Sequence, residues 1–266
     1  MKTKLKRTFE SVYLYLIFIF LYVPIAVLIA FSFNESKSRG VWGGFSLKWY
    51  EQMLSDMQLL AALRNTLIVG VLSAVISCAI GTAAAIGIQG FRSKRVRNII
   101  SEITNIPMVS SELVIGVSLM ILFIAAGVPR GMFTMLLAHI TFNIPYVILS
   151  VTPKLMTLDP NLYEAAIDLG ARPWYAFRHV VMPEIMPGIV NGLLLAFTLS
   201  IDDFVISFFT TGNGVSNLSI YVYSTAKRLN PKINALCAVM FVVIMAMLFV
   251  ISKRTSKDKD DNVLIK

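Results

Sequence analysis

Residues 158–183 read Leu158-Asp159-Pro160-Asn161-Leu162-Tyr163-Glu164-Ala165-Ala166-Ile167-Asp168-Leu169-Gly170-Ala171-Arg172-Pro173-Trp174-Tyr175-Ala176-Phe177-Arg178-His179-Val180-Val181-Met182-Pro183. Asp159-Pro160 is a helix start: an acceptor at the N-cap, then the residue whose fixed φ and missing N–H suit the first helical position. Glu164 in the early turns suits the helix dipole. Gly170 stands where a left-handed C-terminal cap belongs, and Arg172-Pro173-Trp174 begins a second short helix expected to run to Met182 and stop before Pro183. The stretch is a helix–turn–helix. Leu162, Ala165, Ala166 and Leu169 share one face of the first helix, an apolar ridge with small residues at its centre. So short a helix is marginal alone. It packs either on this chain's own apolar segments or in a groove on another protein, and the residues leave both open.

Long apolar runs flank this segment. A membrane-spanning helix needs about 20 apolar residues, and residues 11–33, 65–91, 103–127, 131–153, 187–210 and 233–252 each supply that, with Glu112, Asp202 and Asp203 as the only acids inside them. The composition agrees: 56% of the 266 residues are hydrophobic and only 15% charged, with a mean hydropathy of +0.73. An ordinary soluble domain carries about 25% charged residues, so a soluble enzyme of standard build is excluded, and so is a disordered chain. A strand-built barrel would show alternating stretches roughly ten residues long, which are not seen. The expectation is an all-α, polytopic membrane protein with six transmembrane helices in one domain, 1–266, and a cytoplasmic loop at 154–186.

Sixteen of the 24 Lys and Arg fall at the N-terminus, in the second-to-third and fourth-to-fifth connections, and at the C-terminus. That bias places both termini on the cytoplasmic side. The net charge of +9 is therefore chiefly a topology signal, and no nucleic acid is expected as a partner. The first run follows Lys2, Lys4, Lys6 and Arg7, but its apolar core exceeds a signal peptide's and Ala30-Phe31-Ser32 is a poor cleavage site, so it reads as an uncleaved first span. Cys78 and Cys237 lie in apolar runs without Cys or His partners and read as packing residues.

Glu164-Ala165-Ala166, three residues, Gly170, nine residues, then Val180-Val181-Met182-Pro183 resembles the "EAA" loop, E-A-A-x3-G-x9-I-x-L-P, of permeases of binding-protein-dependent ABC importers. Val180 replaces Ile and Met182 replaces Leu, both conservatively. Gly44 to Tyr50, His139 to Tyr146 and Leu199 to Ile206 look most like the spermidine/putrescine branch of that family. The resemblance implies a type I importer permease fold of the MetI-like kind in the bacterial cytoplasmic membrane. It further implies that Glu164, Ala165, Ala166, Gly170 and Pro183 form a coupling element for two ABC ATPase subunits. The other implied partners are a second, paralogous permease and an extracytoplasmic polyamine-binding protein, besides membrane lipid. The chain has no G-x-x-x-x-G-K-[ST] loop, so ATP and Mg are expected on the ATPase, with no cofactor, metal or catalytic residue here.

An ionised side chain near the bilayer centre costs roughly 2.5–3.5 kcal/mol on insertion scales and normally faces a bundle interior or water. Glu112, Asp202 and Asp203 have no Lys or Arg inside the spans, which suits a cationic cargo and argues against an anionic one. At about 1.5 Å per residue, Glu112 would lie roughly 14 Å and Asp202 roughly 22 Å along straight spans. Phe204, Phe208 and Tyr146 are candidate cation–π walls. Adjacent Asp202 and Asp203 point about 100° apart on a helix, so at least one lines the path or, alternatively, one caps a helix break or accepts bonds from Ser200 or Thr198; Glu112 either lines the path or marks a kink after Pro107. His139 reads as a packing or hydrogen-bonding residue. An intramembrane protease lacks its expected motifs, and an ion-driven transporter leaves the EAA-like loop unexplained.

Overall fold

A computed structural model describes residues 2–37, 40–212, 214–226, 231–242 and 245. Among them the secondary structure is helical throughout, apart from one antiparallel bridge between Asn34 and Phe45. They form two compact units: those of Met1–Met57 with Val222–Lys266, and those of Gln58–Tyr221.

The first unit opens with α1 (Lys2–Ser32), whose Ser11–Ser32 portion is long and apolar enough to cross a membrane and has none of its window buried within the chain. The loop after it is tied by Asn34, whose Nδ2 donates to the Val41 carbonyl at 2.8 Å while its Oδ1 accepts from the Gly43 amide at 2.7 Å. Trp49, in α2 (Lys48–Leu54), donates its ring N–H to the Asn34 carbonyl at 2.6 Å.

In the second unit, α3 (Met57–Gln89) buries a stripe of small residues, among them Gly70, Ser73, Ala74, Ser77, Cys78, Gly81 and Ala85. Without hydrophobic drive between helices in lipid, close backbone approach over small residues is what holds them together. A Cβ at Gly81 would sit 2.8 Å from Val147 Cβ on α6 (Met132–Thr157). Cys78 is buried in the same seam and donates to the Ile189 carbonyl at 3.6 Å. α9 (Met182–Asp202) packs on both helices: a Cβ at its Gly188 would meet the Ser150 carbonyl of α6 at 3.0 Å, and a Cβ at Gly70 of α3 would meet its Ile201 at 3.4 Å.

Two of the six expected spans are not straight. The stretch 103–127 divides into α4 (Lys94–Val109) and α5 (Glu112–Ala125), bent by 100°. Pro107 removes a donor in the last turn of α4. Ser110 and Ser111 then adopt extended backbone (ψ 147° and 137°), and Ser111 Oγ accepts from the Leu113 amide at 3.3 Å, a local bond that competes with the helical ladder. Depth counted along a straight third span therefore does not hold. The expected span 187–210 starts earlier and ends sooner. One 30-residue helix, Pro173–Asp202, comprises α8 (Pro173–Ala176), a π turn (Phe177–Val181) and α9. It does not stop before Pro183, because the i→i+5 bond from the Met182 amide to the Phe177 carbonyl accommodates the missing donor. The helix breaks at Asp203-Phe204 and resumes as α10 (Val205–Thr210). Four helices among the described residues are long and apolar enough to cross, or five if the bent pair is one span. Of the expected span 233–252, the described part is the helix Lys232–Val242 and residue 245; the rest lies outside the described residues.

Candidate functional site

The predicted helix–turn–helix is present. α7 (Pro160–Asp168) starts at Asp159, whose Oδ1 accepts from the Asn161 amide at 2.9 Å. It ends in a Schellman motif: the Gly170 amide reaches the Ile167 carbonyl at 2.8 Å and the Ala171 amide reaches the Ala166 carbonyl at 3.0 Å, with Gly170 at φ +87°. Only a residue without a Cβ takes that conformation freely. α7 packs on α8 and the π turn that follow it. Its ridge stays open: Leu162, Ala165 and Leu169 are exposed, Leu169 by 89%, as are Glu164 and Gly170. This chain's own described residues thus do not cover the face that the sequence left undecided. Pro183 is also exposed, the second residue of α9.

The intramembrane acids gather elsewhere in the unit, at two helix breaks. Glu112 is the first residue of α5 and Asp202 the last of α9; both are exposed. α5 lies against α10, close enough that a Cβ at Gly116 would meet the Phe209 ring at 3.2 Å and Ile206 Cα at 3.4 Å. That contact brings the breaks together, and Glu112 interacts electrostatically with Asp203, Asp202 and Tyr146. Phe142, Phe123, Ala138 and Ile206 form the apolar cluster beneath, with Tyr146 packed on it and its ring tilted against Phe142 at 5.2 Å. Phe204 is half-buried and tilted against exposed Phe208 at 5.4 Å. Irregular backbone at membrane depth is tolerated where it is enclosed by protein or lines a polar cavity.

Asp203 differs from its neighbour. Its side chain is 3% exposed. Oδ1 accepts from the Ile206 amide at 3.1 Å, and Oδ2 from both the Ser207 amide and the Ser207 hydroxyl at 2.8 Å. It caps the break, one of the readings the sequence allowed. The Ser207 hydroxyl has one proton, spent on Asp203, so it accepts from Asn217 Nδ2 at 2.8 Å and from His139 Nε2 at 2.9 Å. This count requires a proton on His139 Nε2. His139 Nε2 also lies 3.5 Å from Asp203 Oδ2.

Two further polar contacts run along α6. Thr134 Oγ1 donates to the Thr210 carbonyl at 2.7 Å. Asn143 Nδ2 donates to Ser200 Oγ at 2.8 Å, and Ser200 in turn meets Ser73 Oγ at 2.8 Å. Ser200 thus bonds Asn143 and Ser73 and not an aspartate, and the roles of Asn143, Ser207 and Asn217 were not anticipated. The available signal was their polarity within otherwise apolar runs, with Thr134, His139 and Asn143 rising along one helix.

A family model described as "Binding-protein-dependent transport system inner membrane component" matches residues 77–255. The putrescine transport system permease protein PotI of Escherichia coli (strain K12) is 39% identical over 212 residues, 77% of this chain and 75% of that one. The spermidine/putrescine transport system permease protein PotC of the same strain is 34% identical over 219 residues, 82% of each. Among solved structures, a bacterial ABC transporter that imports the acidic polysaccharide alginate superposes with a TM-score of 0.72 at 17% identity, covering 96% of this chain and 97% of that one. At that identity the likeness speaks for the fold, that of ABC importer permeases. The chain belongs to the family of binding-protein-dependent transport system inner membrane components, multi-pass proteins of membrane transport.

Proposed function

We propose that this chain is the non-catalytic permease subunit of an ATP-driven polyamine importer and that Glu112 and Asp202, flanked by Tyr146 and Phe204, line its cation path. The observation that carries this reading is the pair of exposed carboxylates at adjoining helix breaks. Among the described residues neither makes an ion pair. Two carboxylates within electrostatic reach repel one another, and a cargo ammonium group between them relieves that repulsion while its methylene stem contacts the aromatic walls. The names of the two relatives support a polyamine over other cations.

Coupling is assigned to α7. Its open ridge of Leu162, Ala165 and Leu169, with Glu164, Ala166 and the Gly170 cap, would dock on a separate ATPase, two copies per importer, which binds ATP and Mg. Pro183 would hold the register of the helix that carries this motion to the break at Asp203. A paralogous second permease and an extracytoplasmic polyamine-binding protein complete the assembly. Both termini are assigned to the cytoplasmic face.

The test is uptake of labelled spermidine into proteoliposomes holding the whole complex and ATP, with loaded binding protein outside. Unlabelled spermidine and putrescine should compete, and Asp202→Asn and Glu112→Gln should each lower cargo moved per ATP by about tenfold or more, the scale of one lost charged hydrogen bond. Competition by an unrelated small cation alone would reassign the cargo. Wild-type stoichiometry in both variants would remove the acids from the path.

A further inference from the structure

We infer that the two adjacent aspartates have separate roles: Asp203 is a positioning residue that, with Ser207, His139 and Asn217, locks the helix break so that Asp202 alone is presented to the cargo. The inference rests on the cation path proposed above and deepens it.

The accounting of lone pairs carries the argument. A carboxylate offers about four acceptor sites. Three on Asp203 are taken by donors from its own α10, and the imidazole of His139 stands against the same oxygen that accepts from Ser207. Bonded in this way and only 3% exposed, the Asp203 carboxylate is out of reach of a passing ammonium. Asp202, one residue earlier, is exposed, and none of the described hydrogen bonds or ion pairs involves it. Asn217 closes the arrangement, with its Nδ2 3.2 Å from the Asp203 carbonyl and its Oδ1 accepting from the Ile220 amide at 2.9 Å.

The clamp extends to both sides of the break. α6 fastens α9 upstream through Asn143 to Ser200, meets the break itself through His139 to Ser207, and fastens α10 downstream through Thr134 to Thr210. Two half-helices pinned to one continuous neighbour cannot swivel about Asp203-Phe204 independently. The direction in which the last turn of α9 releases Asp202 is thereby set, and a site that must hold a charge within a fraction of an ångström needs such support.

The experiment is a double-mutant cycle on the whole importer in proteoliposomes, reading labelled spermidine moved per ATP hydrolysed. Asp203→Ala should lower that ratio about tenfold in the otherwise native chain, as expected for losing bonds to a charged group. In an Asp202→Asn background it should lower the ratio less than about twofold further, because positioning a residue that has lost its charge has no effect. Asp203→Asn and Asp203→Ser, whose oxygens still accept from the α10 amides, should keep at least about a third of the ratio. Should Asp203→Ala not assemble, Ser207→Ala, which removes the hub hydroxyl and leaves both amide bonds, should show the same pattern more mildly.

Multiplicative losses in the double variant, with Asn and Ser as damaging as Ala, would make Asp203 a direct cargo ligand and overturn the inference. Parallel loss of hydrolysis and uptake at constant ratio would make it merely structural and overturn it equally. A wild-type ratio for Asp202→Asn alone would instead refute the cation path, independently of Asp203.

Discussion

Replacing Gly170 isolates backbone conformation from packing. At φ +87° it sits in the left-handed region, and a Cβ built there meets nothing within 4 Å, so any effect of a side chain is conformational. An L-residue in that region costs about 1–2 kcal/mol, less for Asn and more for a β-branched residue. The Schellman bonds from the Gly170 and Ala171 amides both depend on the turn, and the nine-residue α7 has little reserve. A loss of about 1–2 kcal/mol changes the population of a capped helix by roughly 5–30-fold. The expected order of damage is therefore Asn, then Ala, then Val. Cargo moved per ATP hydrolysed is the assay, since a frayed α7 should let the ATPase cycle without transmitting its motion. Equal damage by Asn and Val would refute the reasoning, because it would mean the partner needs the space above Gly170 rather than its backbone angle. Wild-type stoichiometry for Gly170→Val would remove α7 from coupling altogether.

Other substitutions test the packing that holds the site. Gly81→Ala drives a methyl to 2.8 Å from Val147 Cβ and should destabilise the α3–α6 seam by about 1–3 kcal/mol, read as a lower melting temperature in detergent. Gly87→Ala on the same helix meets nothing within 4 Å and should stabilise by about 0.5–1 kcal/mol; a loss there would mean that face is covered by something else. Asp159→Ala deletes the α7 N-cap bond, and about 1 kcal/mol of helix stability with it, so it should lower stoichiometry in the same direction as Gly170→Ala. Thr134→Val removes the 2.7 Å bond to the Thr210 carbonyl. That should cost about 0.6 kcal/mol, the average for intramembrane side-chain bonds, and an unchanged melting temperature would show that α10 is held without it.

What the sequence revealed and what it hid divide along a physical line. α7 was legible to the residue because its signals are local: Asp159 bonds two residues away, and Gly170 closes a turn on residues three and five positions earlier. The apolar runs were equally legible as membrane segments, since their length against the bilayer needs no tertiary knowledge. The breaks were not, because an apolar window averages over side chains and carries no backbone direction: Ser110-Ser111 and Asp203-Phe204 each sit inside a run that would pass as one helix. Pro107 hinted at the first break, and Pro183 suggested a stop where a π turn instead carries the helix through.

Hydropathy makes Asp202 and Asp203 identical, and the earlier contest over which of them faces the path had no residue-level answer. The answer depends on partners 57–68 positions apart, where Asn143 meets Ser200 and His139 meets Ser207. A buried carboxylate in lipid is so costly unless satisfied that the presence of three internal donors around Asp203 is itself a statement about its duty. The cost of burying it is met by the break it stabilises, and that break is what turns its neighbour outward beside Glu112. Polar residues spread through the apolar runs, here Thr134, His139, Asn143, Ser200 and Ser207, are therefore better guides to where a membrane helix breaks than the acids that end up exposed at the break.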